Sequence, residues 1–209
     1  MGKCSVFTGG VIKDLSFINV NSVKNTFVIC ADSGYLYAKE LKIEPDLLIG
    51  DYDSLGYVPE EVKNTVTFPS EKDDTDLMLA VREALKHGYD SIDIYGALGG
   101  RFDHTFSNIQ TLGFIALHDV KARILSDSEE ISLLNPGKYT FDQRAGFSLS
   151  LFAYSDIVEG LCIKGAKYPA DKITLTSSFP LGMSNCIIEK TAEISFEKGR
   201  LLAVQSKIN

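Results

Sequence analysis

The sequence predicts an α/β protein in two parts: an N-terminal, largely parallel sheet with flanking helices, then a C-terminal all-β sandwich domain. Two observations predict this. Up to about residue 120, short apolar runs alternate with stretches of helical periodicity, the grammar of a parallel sheet with crossover helices. Beyond that point short strands follow one another, separated by Gly, Pro, Asn and Ser.

In order, Ser5-Val6-Phe7 reads as a strand entering the glycine loop Thr8-Gly9-Gly10. Thr26-Phe27-Val28-Ile29-Cys30-Ala31 is a second strand, stopping at Asp32-Ser33-Gly34, and a helix follows to about Leu41. Asp46-Leu47-Leu48-Ile49 is a third strand, ending at Gly50-Asp51, and Val66-Thr67-Phe68 a short fourth. Leu77, Ala80, Val81, Ala84 and Leu85 sit at i, i+3, i+4, i+7, i+8, a clear helix with Gly88 as its stop. Ser91-Ile92-Asp93-Ile94-Tyr95 is a fifth strand. A helix with Phe102, Phe106, Ile109 and Gly113 on one side runs to about Leu117. Ala122-Arg123-Ile124-Leu125 and Ile131-Ser132-Leu133-Leu134 read as a hairpin. Further strands are expected at Phe147-Ser148-Leu149-Ser150-Leu151-Phe152, Ile173-Thr174-Leu175-Thr176, Cys186-Ile187-Ile188-Glu189, Ala192-Glu193-Ile194-Ser195-Phe196 and Leu201-Leu202-Ala203-Val204. The expected domains are residues 1–122 and 123–209.

Composition narrows the function. With 209 residues, 44% of them hydrophobic, the chain can bury a substantial core. No apolar run approaches the ~18 residues of a membrane span, and the N-terminus lacks the apolar stretch of a signal peptide. A cytoplasmic protein with no membrane partner is expected. The formal charge of -7 disfavours nucleic acid as a partner, since duplex binders are usually basic. Cys4, Cys30, Cys162 and Cys186 are scattered, without Cys-x-x-Cys spacing, so buried reduced thiols are expected instead of a zinc site or disulfides.

The aspartates are more informative than the net charge. Asp32-Ser33-Gly34, Asp51-Tyr52-Asp53, Asp73-Asp74-Thr75-Asp76 and Arg101-Phe102-Asp103-His104 all fall where strands are expected to end or helices to begin. Ligands of open parallel sheets bind outside the carboxyl ends of the strands. A clustered acidic site binds a polyanion when divalent metal lies between them, and magnesium prefers hard carboxylate and phosphate oxygens. Asp51 and Asp53 could face one ion, although an Asp-x-Asp pair also occurs in ordinary surface turns. Asp73 as helix N-cap with Asp76 at N3 would explain both acids structurally, without excluding metal binding. Gly96-Ala97-Leu98-Gly99-Gly100-Arg101 is a loop that could bring backbone N–H groups and a guanidinium to phosphates. It is not a Walker A loop, and a plain tight turn is the alternative. No Gly-x-Ser-x-Gly occurs, and three histidines, His87, His104 and His118, are too few for a histidine-rich metal centre.

Taken together these motifs resemble the thiamine pyrophosphokinase (thiamine diphosphokinase) family, bacterial type. The matching stretches are Ala31-Asp32-Ser33-Gly34, Pro45 through Ser54, Lys72-Asp73-Asp74-Thr75-Asp76 and Gly99-Gly100-Arg101-Phe102-Asp103-His104. Gly165-Ala166-Lys167-Tyr168-Pro169 and Gly182-Met183-Ser184-Asn185 resemble family segments further on. The resemblance implies an ATP- and magnesium-binding catalytic domain, a thiamine-binding and dimerising sandwich, and a homodimer with its active sites at the interface. The implied reaction moves a diphosphoryl group from ATP to the hydroxyl of thiamine, giving thiamine diphosphate and AMP. Carried over by position, Asp51, Asp53 and Asp76 are the magnesium ligands, with Asp32 beside the metal–phosphate cluster. Lys72, Asp73, Thr75, Arg101 and His104 contact ATP. Asp103 joins Asp51, Asp53, Asp76 and Arg101 as a catalytic residue. Ser184 and Asn185 contact thiamine from the partner subunit. Two features depart from the family pattern: the chain has no Trp to stack on thiamine, leaving Phe179 as a substitute, and Pro180 follows it. A metal-dependent phosphoesterase or nucleotide hydrolase, and a non-catalytic nucleotide- or thiamine-binding protein, stand as the alternatives.

Overall fold

The computed structural model describes residues 2–53, 55–57, 59, 61–69 and 73–208. The chain divides into two compact units, residues 1–127 and 128–209.

In the first unit, β1 (Lys3–Phe7) leads through a 3-10 turn to the short helix α1 (Val20–Lys24) and β2 (Phe27–Ala31). Then come α2 (Tyr35–Glu40), β3 (Leu47–Gly50), β4 (Thr65–Thr67) and α3 (Asp76–Lys86). β5 (Ser91–Tyr95), α4 (Phe102–Ala116) and β6 (Lys121–Leu125) complete it. The strand order is β6-β5-β1-β2-β3-β4, and each of these neighbours pairs in parallel. Lys121–Leu125 is therefore the parallel neighbour of β5, Ala122 opposite Ile92 and Ile124 opposite Ile94, and this strand belongs with the α/β unit.

Alternate residues of these strands load both faces of the sheet. Phe7, Val28, Cys30, Leu48 and Tyr95 form a core with Val23 of α1 and with Tyr35 and Ala38 of α2. Val6, Ile29, Ile49, Ile92, Ile94 and Ile124 are buried on the other face, the face served by α3 and α4. Helix α3 buries Leu77, Ala80, Val81 and Ala84 of the expected stripe, adds Leu79, and leaves Leu85 half-buried. Each large apolar side chain so buried contributes about 1.5–3 kcal/mol. Its N-cap is Thr75, whose hydroxyl accepts from the Met78 amide at 3.2 Å, so the cap is not Asp73, and Asp76 is the first helical residue. Gly88, at φ +76, ends it in the left-handed conformation that L side chains avoid.

Helix α4 has the expected span, but its apolar side is not buried at its start. Its buried residues are Thr111, Leu112, Gly113, Ile115 and Ala116, whereas Phe102 and Phe106 are exposed, their rings tilted to each other with centroids 6.2 Å apart. Only the C-terminal half of α4 packs on the sheet. One polar cluster sits on the sheet itself: Asp93, 3% exposed, accepts both Arg123 Nε at 2.9 Å and Lys3 Nζ at 2.6 Å. Burial alone would raise its pKa, but Arg123 and Lys3 outweigh burial and hold the carboxyl below its ordinary value.

The second unit contains β7 (Glu129–Leu134), β8 (Gly137–Asp142), β9 (Phe147–Ala153) and β10 (Ile157–Lys164). β11 (Ala170–Thr176), β12 (Gly182–Asn185), β13 (Thr191–Phe196) and β14 (Leu201–Lys207) follow. β12-β9-β14-β7 form one antiparallel layer and β11-β10-β13-β8 the other. Leu149, Leu151, Leu201 and Ala203 from the first layer bury against Val158, Leu161, Ile163, Leu175, Ile194 and Phe196 from the second, a sandwich core. Sequence reading misses β8 and β10. In β10 the inward residues are Val158 and then Leu161, three positions apart, because the register shifts at Gly160 and the period-two signal breaks. Cys186–Glu189 is not a strand either: the strand is the preceding Gly182–Asn185, and Ile187 makes only an isolated bridge to Ala166.

All four thiols are free; Cys4 and Cys30 are buried, Cys162 and Cys186 half-buried. No helix among the described residues is long and apolar enough to cross a membrane.

Candidate active site

Because β1, β2, β3 and β5 run parallel, the segments that follow them emerge at one edge of the sheet. Within the first unit the segments after β1, β2 and β5, with the starts of α3 and α4, enclose a cleft of about 630 Å³. Of the residues singled out from sequence, Asp32, Thr75, Asp76, Arg101, Asp103 and His104 line it. Asp51, Asp53 and Asp73 stand outside that lining, and Lys72 lies outside the described residues.

The first turns of α3 and α4 both border the cleft, through Thr75, Asp76 and Leu77 and through Arg101, Asp103 and His104. Their aligned peptide dipoles make that wall favourable to anions. Among the described residues the side chains have the opposite balance: three carboxylates line the cleft against one guanidinium. A triphosphate would meet net repulsion there unless a divalent cation lay between, and hard carboxylate oxygens are of the right kind for magnesium. Among the described residues, no three His, Cys, Asp or Glu side chains come together closely enough to hold a metal ion by themselves.

Arg101 is not idle. Its Nε donates to Asp103 Oδ1 at 3.1 Å and its Nη2 to Asp103 Oδ2, a bidentate pair on an exposed surface. Asp103 Oδ1 also accepts from the His104 amide at 3.0 Å, so Asp103 steadies the start of α4 as well. The Arg101 hydrogen bond, working against a smaller desolvation effect, holds the Asp103 carboxyl below its ordinary value, and Asp103 raises the guanidinium in turn.

The Asp51-Tyr52-Asp53 turn is built around its middle residue. Tyr52 is 4% exposed, and its hydroxyl lies 3.3 Å from Val66 O and 3.4 Å from Leu48 O. Its φ of +60 is the left-handed region, which costs a bulky residue on the order of 1–3 kcal/mol and persists only where surroundings enforce it. With the ring in the core, Asp51 is half-buried and Asp53 exposed. The Asp53 amide donates to Asp51 Oδ1 at 3.1 Å, closing the turn. Asp32 also has a positive φ, +50, and its Oδ1 is buried.

Several cleft residues carry weak sequence signals. Thr8, Gly9, Gly10 and Val11 form one wall, and the loop after β5 another. Gly10 N donates to Gly96 O at 2.7 Å, and a Cβ on Gly10 would stand 2.2 Å from that oxygen. Asn108 also lines the cleft and ties α4 to this loop through Nδ2 to Ala97 O at 2.8 Å. Its i+4 spacing from His104, which puts both on one helix face, was the readable signal.

Ser184 and Asn185 belong to the second unit. Asn185 is buried, and its carboxamide is fully engaged: Oδ1 accepts from the amides of Tyr168 and Cys186 at 3.0 and 2.9 Å, and Nδ2 donates to Tyr168 O at 2.8 Å. Ser184 is exposed, at φ +56, with its amide on Ser150 Oγ at 3.0 Å. Phe179 is exposed in the same unit.

An open parallel sheet with helix N-termini, carboxylates and an arginine gathered at its carboxyl edge is the build of an α/β phosphotransferase. Comparison with known proteins says which. Residues 21–124 match the thiamin pyrophosphokinase catalytic domain, and residues 138–201 match the thiamin pyrophosphokinase vitamin B1 binding domain. The chain is 30% identical over 215 residues to the thiamine pyrophosphokinase of Bacillus subtilis (strain 168), covering 99% of both. It belongs to the thiamine pyrophosphokinase family. Among solved structures, thiamine pyrophosphokinase from Bacillus subtilis superposes with a TM-score of 0.88 at 29% identity, over 99% of this chain and 100% of that one. A thiamin pyrophosphokinase family protein from Enterococcus faecalis superposes with a TM-score of 0.87 at 28% identity, over 100% of each.

Proposed function

We propose that the protein transfers the diphosphoryl group of ATP to the hydroxyl of thiamine, releasing AMP and thiamine diphosphate. The observation that carries this reading is the pairing, in one chain, of a matched catalytic domain and a matched vitamin B1 binding domain, the first with an anion-directed cleft. The thiamine oxygen bonds to the β-phosphorus, the bond from that phosphorus to the α–β bridging oxygen breaks, and AMP leaves with the oxygen. The hydroxyl proton passes to a carboxylate of the cleft.

Phosphoryl transfer depends on alignment and charge neutralisation more than on covalent help from the protein. Arg101 holds phosphate oxygens by exchanging Asp103 for them. The Thr75 hydroxyl, which accepts from Met78 N, keeps its proton to donate to a phosphate. Asp32 and Asp76, with Asp51 and Asp53 from the neighbouring turn, would hold magnesium, which commonly takes one or two protein carboxylates and completes its shell with phosphate and water. When bound, magnesium supplies charge neutralisation on the triphosphate. Lys72, Asp73 and His104 complete the nucleotide contacts in this reading. In the second unit Ser184 contacts thiamine, and Asn185 shapes the turn that presents it. The reading includes a cytoplasmic homodimer; a monomeric mass on sedimentation would remove the dimer.

The test is product identity. Protein supplied with ATP, magnesium and thiamine should release AMP in step with thiamine diphosphate. Release of ADP, or ATP consumption indifferent to thiamine, would overturn the reaction.

A further inference from the structure

Tyr37 lies on α2 and is absent from the lining of the cleft, yet its hydroxyl is committed to the cleft's wall. It donates to Gly10 O at 2.7 Å and accepts from Ile12 N at 3.1 Å, across 27 and 25 positions of sequence. Both partners belong to the segment after β1 that supplies Thr8, Gly9, Gly10 and Val11 to the cleft. The other side of that segment is fastened to β5 and the loop after it, by Thr8 N to Tyr95 O at 2.9 Å and Gly10 N to Gly96 O at 2.7 Å. The segment is thus held between two anchors. One is made of backbone and survives most substitutions; the other is a single phenolic oxygen acting as donor and acceptor at once.

We infer that Tyr37 is a positioning residue for the nucleoside triphosphate: it sets the wall formed by residues 8–11 opposite Thr75, Asp76 and Arg101, without touching the ligand. This rests on the reading of the cleft as the ATP site. The ring of Tyr37 packs against the core formed by Phe7, Val28 and their neighbours, so phenylalanine keeps the packing and removes only the two hydrogen bonds. A half-buried carbonyl and amide then lose their partners, and the polar tie between α2 and the wall is gone. A misplaced binding wall costs affinity for the ligand it faces and leaves the other substrate alone.

Tyr37→Phe should raise the KM for ATP about tenfold, equivalent to one lost aligned interaction. The KM for thiamine should stay within about twofold and kcat should fall less than about threefold, because ground-state binding of one substrate is what is lost. Equal changes in both KM values, or an unchanged KM for ATP in an active protein, would overturn the inference and leave the reaction standing. A wild-type protein that makes no AMP would overturn the reaction and the inference with it. A second reading needs no variant. In the wild-type protein, amide hydrogen exchange across residues 9–12 should slow when a non-hydrolysable ATP analogue is added with magnesium, and not when thiamine is added. Exchange indifferent to the analogue, or slowed equally by thiamine, would overturn the role.

Discussion

Two segments at the carboxyl edge of the sheet, after β1 and after β3, are held in opposite ways. The wall after β1 is fastened largely by backbone: Gly10 and Gly96 approach too closely for any Cβ, and their peptide groups bond directly. The Asp51-Tyr52-Asp53 turn after β3 is fastened by side chains. Tyr52 drives into the core, and further along the same connection Glu61 accepts from the Tyr35 hydroxyl at 2.5 Å and from Lys39 at 3.1 Å. Where its peptides meet the loop after β5, the backbone-built wall does not tolerate added volume. A side-chain-built turn tolerates volume at its surface but depends on particular functional groups. The two should therefore fail differently.

The largest expected effect is on the side-chain-built turn. Asp51→Asn keeps an oxygen to accept from the Asp53 amide, so the turn survives while the charge is lost. The turnover number should fall by about 10² or more, the scale for removing one electrostatic partner of a transition state, with an unchanged melting midpoint. Unchanged turnover would take Asp51 out of the site. Next comes Gly10→Ala in the backbone-built wall. A methyl 2.2 Å from Gly96 O forces the loops apart, which should cost about 1–3 kcal/mol in a denaturant titration. An alanine variant as stable as wild type would show that the wall yields more than its hydrogen bonds suggest.

The smallest effect is the pH dependence of the Glu61 latch. Hydrogen bonding from Tyr35, then local backbone and Lys39, pulls the Glu61 carboxyl from its ordinary 4.5 down to about 2. A group depressed on folding stabilises fully above its unfolded value, so this contribution is complete above about pH 4.5 and is lost as the pH falls toward about 2. Glu61→Gln should therefore lower the melting midpoint slightly at pH 7, and the difference from wild type should close near pH 2–3. Because Glu61 is exposed, the effect is small and should weaken in high salt. A difference that persists at pH 2 would show that shape, not charge, makes the latch.

The same contrast explains what could be read from sequence. Helix α3 was legible down to its buried stripe, since Leu77, Ala80, Val81 and Ala84 repeat with a period that only one structure satisfies. Asp32, Asp76 and Arg101 were legible because acidic and glycine-rich motifs at strand ends carry their meaning in residue type. Tyr37 and Glu61 were not, since their contacts join positions some 25 apart, and nothing local distinguishes them from other half-buried or exposed residues. The span of α4 was legible, but the exposure of its first turns was not: Phe102 and Phe106 have the spacing of an apolar face yet are exposed, in the turns that border the cleft. Asn185 carries a legible polar signal, but it is bound up in the Tyr168 backbone.

The placement of the cysteines has a practical result. Cys4 and Cys30 lie inside the α/β unit, where burial pushes the Cys4 thiol up to about 12 and the Cys30 thiol higher still. Neither forms the thiolate that alkylating reagents require near neutral pH. Cys162 and Cys186, half-buried, belong to the sandwich. Thiol-directed fluorophores or spin labels on the native protein are thus steered to one unit by the fold, a built-in asymmetry for following the vitamin-binding half while the catalytic half stays unlabelled.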